Sequence, residues 1–268
     1  MAHRPKSAAP GRVMVRVTAL LLALCLLASI AVAAAEGEEP APVRSAVRVK
    51  GYPSPVIPFC ERVDDSYFED VLLVGDSLAS GFPHYKVMPA LEVTYRIGLS
   101  PIKIANNEDV FFPRGKDRPG IKFPDFLAER NPRIVYLWLG LNGIEGNSAE
   151  YVLPYYSAMM DRLIEALPNT LFCLLEITPV TKEAVQRKRG LTYRNITAFN
   201  AGLYELAQAH NIYILQIHDG LLGKDDAVAK INTASDGIHL SRTGYNEVVE
   251  YLYSHALPLD MIIWPDHE

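Results

Sequence analysis

The sequence predicts a three-layer α/β domain on a mostly parallel five-stranded sheet, and three observations carry that expectation. From Asp70 onward, short apolar runs alternate with longer segments of helical periodicity. Each run is apolar nearly throughout rather than at every second position, as strands covered on both faces require. Ser77, Gly98, Asn142 and Pro179 fall just past the ends of these runs, where open α/β sheets place their sites.

The elements follow in chain order. Residues 1–35 have the pattern of a signal peptide. Arg4, Lys6, Arg12 and Arg16 give a positive start, no charge falls between Val17 and Ala35, and Ala33-Ala34-Ala35 offers small residues before Glu36. The same uncharged stretch is nearly long enough to stay as a membrane anchor if it is not cleaved. Cys25 follows Leu24 inside the apolar run, which does not suit lipid attachment. Residues 36–60 are rich in proline, charge and small side chains and read as a linker, leaving 61–268 as the domain.

Strands are expected at 71–75, 91–96, 133–139, 170–177 and 212–217. Helices are expected at 123–130, 149–167 and 195–210, and a last one at 243–255. Residues 107–120, with Phe111, Phe112, Pro113, Gly115 and Pro119, are irregular: a loop over the site or an ordinary connection. Arg187-Lys188-Arg189-Gly190 reads as a solvated basic loop that could also meet an anionic substrate.

The 268 residues are 49% hydrophobic and 21% charged, enough for one substantial core. Removing 1–35 takes away four of the 26 basic residues and no acid, leaving 22 basic against 31 acidic residues, a net charge of −9. An acidic exported domain is a poor nucleic-acid binder, and no basic amphipathic helix suggests a membrane surface. Cys60 and Cys173 remain; they could pair in an oxidising compartment, although two separate thiols, with Cys173 in an apolar strand, is the plainer reading.

Two short motifs carry the chemistry. Gly75-Asp76-Ser77-Leu78 ends the first strand, and Asp236-Gly237-Ile238-His239 precedes the last helix. A serine hydroxyl is a weak nucleophile, so it needs a base to take its proton and an acid to orient that base. A serine at a strand-to-helix turn presents its Oγ outward, and the following helix N-terminus favours an oxyanion. Asp236, three positions before His239, can fold back onto Nδ1 in a tight turn and leave Nε2 to accept the serine proton. Candidate oxyanion donors are the Ser77 N–H, the Gly98 N–H, which substrate can approach closely, and the Asn142 side-chain amide. His218-Asp219 has no partner at metal-ligand spacing. Asp64-Asp65 and Asp225-Asp226 read as solvated turns. Tyr85 and Tyr193 could line a sugar site, but nothing in the sequence selects them.

Gly75-Asp76-Ser77-Leu78, Gly98, Gly140-Leu141-Asn142 and Asp236-Gly237-Ile238-His239 together resemble the four blocks of the SGNH (GDSL-type) hydrolases, over about residues 67–255. The resemblance implies a flavodoxin-like fold and ester hydrolysis without metal or cofactor. It implies Ser77 as nucleophile, His239 as base and Asp236 as its acid, with Ser77, Gly98 and Asn142 forming the oxyanion hole. One position departs: the third block usually continues Asn-Asp, and Gly143 stands here. Ser77 lies outside any Gly-x-Ser-x-Gly elbow, which disfavours the α/β-hydrolase fold. The expected activity is that of a secreted serine esterase, removing small acyl groups such as acetyl from a carbohydrate or other small ester. Two alternatives share the fold: an acyltransferase to a sugar hydroxyl, and a non-catalytic carbohydrate-binding or envelope module.

Overall fold

Val71–Gly75 (β1) is buried at every position and has a parallel strand on each side. Along the chain it is followed by α1 (Gly81–Tyr85), β2 (Glu92–Tyr95), α2 (Pro101–Ala105), α3 (Phe123–Arg130), β3 (Ile134–Trp138), α4 (Leu141–Ile144), α5 (Ala149–Ala166), β4 (Leu171–Leu175), α6 (Lys182–Arg187), α7 (Tyr193–His210), β5 (Tyr213–Leu215) and α8 (Arg242–Ser254). This computed structural model describes residues 41–108, 111–112, 120–223 and 227–265; the expected signal segment, 1–35, and Asp225-Asp226 lie outside the described residues.

The five strands lie in the order β2-β1-β3-β4-β5, all parallel. One row across the sheet runs Val93–Leu73–Tyr136–Cys173–Tyr213. β1, β3 and β4 are buried at all five positions, which is why each reads as an unbroken apolar run. The helices form two groups, α1 with α8, and α2, α3 and α7 around α5. Right-handed crossovers place helices on opposite faces when the chain reverses direction across the sheet, and three layers result. The chain leaves β1 toward β2, then returns past β1 to β3. That reversal is the switch point at which doubly wound sheets open a crevice beyond the strand ends, and Ser77 stands there.

Three features differ from the sequence reading. The second strand, expected as covered on both faces, is an edge strand. Its side chains are exposed or half-buried, and Glu92 forms an ion pair with Arg130 of α3. Helix α7 starts at Tyr193, two residues early, because the Thr192 hydroxyl accepts from the Asn195 N–H at 3.1 Å and caps it.

The larger difference is the segment expected as a linker. Residues 42–60 pack on the domain. The Ile57 N–H donates to the Ile214 carbonyl at 3.1 Å, and the Ile214 N–H to the Pro55 carbonyl at 2.8 Å, so this segment covers the free edge of β5. Arg48–Val49 pairs antiparallel with Ile262–Ile263. Val47, Val49 and Ile57 are buried. Composition suggested a linker, but the alternation of Ser45, Val47 and Val49 inward with Arg44, Arg48 and Lys50 outward is the period of a half-buried strand.

Cys60 and Cys173 are separate thiols. Within 107–120, Phe111–Phe112 pairs antiparallel with Ile121–Lys122; residues 109–110 and 113–119 lie outside the described residues. No helix among the described residues is long and apolar enough to cross a membrane.

Candidate active site

Ser77 opens the turn 77–80 that leaves β1. The turn is tied at several points. The Asp76 carboxylate accepts from the Leu78 N–H at 2.9 Å, and the Ser80 hydroxyl donates to the Ser77 carbonyl at 2.6 Å. The Tyr245 hydroxyl, from α8, donates to the Leu78 carbonyl at 2.5 Å, so the helix after the histidine motif grips the serine turn. α1 has only five residues; the expected dipole support from a helix N-terminus is therefore slight, since a macrodipole needs several aligned turns.

Asp236 and His239 share one tight turn. One Asp236 oxygen accepts from the Ile238 and His239 N–H groups at 2.9 and 3.0 Å. The other meets His239 Nδ1 at 2.5 Å. Burial alone would raise the Asp236 pKa, but the imidazole and the two backbone donors outweigh it and hold the carboxyl below the ordinary range. An ionised carboxylate can only accept, so Nδ1 carries the proton and Nε2 is left as an acceptor. Nε2 lies 2.8 Å from Ser77 Oγ. Hydroxyl, imidazole and carboxylate thus form one unbroken hydrogen-bonded line, brought together from residues 162 apart in sequence.

The expected oxyanion donors sit at the same strand ends. Neither the Ser77 nor the Gly98 N–H donates to a protein acceptor among the described residues. Gly98 has φ +75°, with open space where a Cβ would stand, a conformation that side chains resist. Asn142 is differently placed from expectation: its amide is already engaged. It donates to the Asp76 carboxylate at 2.7 Å and to the Leu99 carbonyl at 3.2 Å. Asp76 is fully buried, and burial pushes its pKa up to about 6 despite these donors. The departure at Gly143 has a steric cause: a Cβ there would come within 2.8 Å of Val152 on α5.

Sequence reasoning missed one group. Arg187 is not in a loop but ends α6, and its guanidinium donates to the Asp236 backbone carbonyl at 2.6 Å. At the other end of α6, the Thr181 N–H donates to the Gly237 carbonyl at 2.9 Å. The helix therefore braces the acid turn from both ends. The basic run 187–190 was the available signal, but no spacing rule links it to Asp236. His218 and Asp219 lie at the end of β5 in another cleft. Asp64 caps a short 3-10 helix. Among the described residues no group of three acids, cysteines or histidines is placed to hold a metal ion.

A model of the GDSL-like lipase/acylhydrolase family matches residues 73–246, a span that includes all five expected site residues. No curated protein matches the sequence. Among solved structures, the chain is similar to a protein described as a platelet activating factor from Streptococcus pneumonia (21% identity, 68% of this chain and 81% of that one, TM-score 0.54). It is also similar to a GDSL-like lipase from Bacteroides thetaiotaomicron (14%, 70% and 87%, TM-score 0.51) and to a protein described as an acylhydrolase from Bacteroides fragilis (16%, 66% and 81%, TM-score 0.51). At such identities the likeness is one of fold.

Proposed function

We infer the mechanism from one premise: the chain belongs to the GDSL-like lipase/acylhydrolase family and is a carboxylic ester hydrolase. The single observation that carries the mechanism is the line from Ser77 Oγ through His239 to Asp236, at 2.8 and 2.5 Å. Ser77 Oγ attacks the ester carbonyl carbon while His239 Nε2 takes its proton. The carbonyl oxygen becomes an oxyanion held by the Ser77 and Gly98 N–H groups. Asn142 joins them by releasing Leu99, the longer of its two hydrogen bonds. The intermediate collapses, the C–O bond to the alcohol breaks, and His239 returns the proton to the leaving oxygen. Water, deprotonated by His239, then attacks the acyl-serine, and the acid leaves with Ser77 restored.

The acyl group is small, of the acetyl class, and the alcohol belongs to a carbohydrate. Both assignments rest on the family membership together with the export pattern of residues 1–35, which suits an ester hydrolase acting on acylated carbohydrate outside the cytoplasm. The charge pattern of 1–35 supports export and action outside the cytoplasm; the N-terminal mass of the exported protein checks it, Glu36 being the expected first residue.

The test of the activity is hydrolysis of p-nitrophenyl acetate and longer-chain homologues by residues 36–268, beside Ser77→Ala. Turnover that favours acetate and disappears in the variant is expected. Equal turnover by the variant would refute the serine mechanism, and a preference for long chains would refute the small-acyl assignment.

A further inference from the structure

A cleft of about 570 Å³ opens between α7 and the carboxyl ends of β4 and β5, and none of Ser77, Asp236 and His239 lines it. Its most informative group is Glu176, the residue after β4. As a whole residue Glu176 is only 7% exposed. One of its oxygens accepts from the His218 N–H at 3.1 Å; the other accepts from no donor among the described residues. A buried carboxyl ordinarily has most of its lone pairs occupied. Burial, helped by the charge of Asp219, raises its pKa to about 7, so it is available both to donate and to accept near neutrality.

The walls fit one kind of ligand. Tyr193 and Tyr204 stand eleven positions apart, three turns of α7, and so share a face. Glu205 and Asp219 add carboxylates, and Arg194 adds a guanidinium. Asn200 also lines the space, but its amide is used on the Ile177 N–H and carbonyl, both at 3.0 Å. Three carboxyl groups disfavour an anionic ligand, and Arg194 in the same lining disfavours an ammonium. Two-oxygen forks and a guanidinium match vicinal hydroxyls, and tyrosine faces match the C–H face of a sugar ring. The volume lies within the range of small-molecule sites.

We propose that this cleft is a binding site for a neutral saccharide, with Tyr193 and Tyr204 as stacking faces and Glu176, Glu205 and Asp219 as hydroxyl partners. It is separate from the ester-cleaving line, so binding does not depend on Ser77. With the reading above, it would hold the carbohydrate side of the substrate.

The test uses the full chain carrying Ser77→Ala, titrated calorimetrically with cello-, xylo-, manno- and chito-oligosaccharides of two to six units. Binding of at least one series at millimolar concentration is expected. Adding Glu176→Gln or Tyr204→Ala should weaken it about fivefold or more, the loss of one polar or stacking contact. The exposed Glu205→Arg should do the same and protects the result if Tyr204→Ala misfolds. The same three substitutions on the native Ser77 background should leave p-nitrophenyl acetate turnover within about twofold. Absence of binding by every series overturns the proposal, as does binding insensitive to all three changes, or binding of tetramethylammonium or phosphate instead. Sugar binding without esterase activity would sink the hydrolytic mechanism and leave this site standing; activity without sugar binding would do the reverse.

Discussion

Asp76, next in sequence to Ser77, has no contact with solvent and accepts from Leu78 and Asn142. Its folded pKa of about 6 lies above the ordinary 3.8, so the folded state holds this proton more firmly than the unfolded chain does. The stabilisation from that proton is complete below about pH 4 and is lost as pH rises through about 6, a change of roughly 3 kcal/mol. Urea unfolding of the native protein and Asp76→Asn between pH 4 and 7 should show the native protein losing up to that amount relative to the variant; parallel curves would refute it. For Asn142→Ala the expected loss in kcat is on the order of a hundredfold with KM little changed, as for removal of one oxyanion donor. A KM effect alone would mean that Asn142 only shapes the loop. The hydrogen-bonded line of Ser77, His239 and Asp236 was legible because two short motifs contain all three residues. The partners of Asn142 were not, because a side-chain amide donates to whatever acceptor the fold brings near.

At the scale of elements, α6 determines how firmly the acid turn is held. Arg187→Ala removes one of its two anchors from an exposed position, so a drop in kcat of roughly fivefold with unchanged stability is expected, partly restored by Arg187→Lys. A fall in thermal stability equal to that in activity would make the arginine merely structural. Gly143→Asp restores the residue usual in the family, yet its Cβ would press on Val152. The expected cost is about 1–3 kcal/mol in thermal or chemical denaturation. The buried strands and the long helices were legible, since five all-buried positions or eighteen residues of regular period leave little choice. The short helices α1, α2, α4 and α6 were not, because four to six residues cannot establish a 3.6-residue period. The second strand was assigned, but its edge position was not, because strand order is set by crossovers rather than by local sequence.

Across the whole molecule, the domain begins near Pro42 rather than at 61. Deleting residues 42–60 would take Val47, Val49 and Ile57 out of the core, uncover the apolar surface they bury, and leave the β5 edge unpaired. At roughly 1.5–3 kcal/mol for each large apolar side chain, residues 61–268 should be roughly 5 kcal/mol or more less stable than 42–268, and prone to aggregate. Equal melting temperatures for the two would disprove this. The pairing of Arg48–Val49 with Ile262–Ile263 also has a consequence in time. A chain made from its N-terminus holds these first residues idle until almost the last have been added, because their partners are the last to appear. Contacts of such long sequence separation form late and slowly. Newly made protein therefore passes through an interval in which the sheet and the Ser77–His239–Asp236 line are complete in covalent structure but the strand at Arg48–Val49 is open to strangers, and the length of that interval is set by the rate of synthesis rather than by the stability of the finished fold.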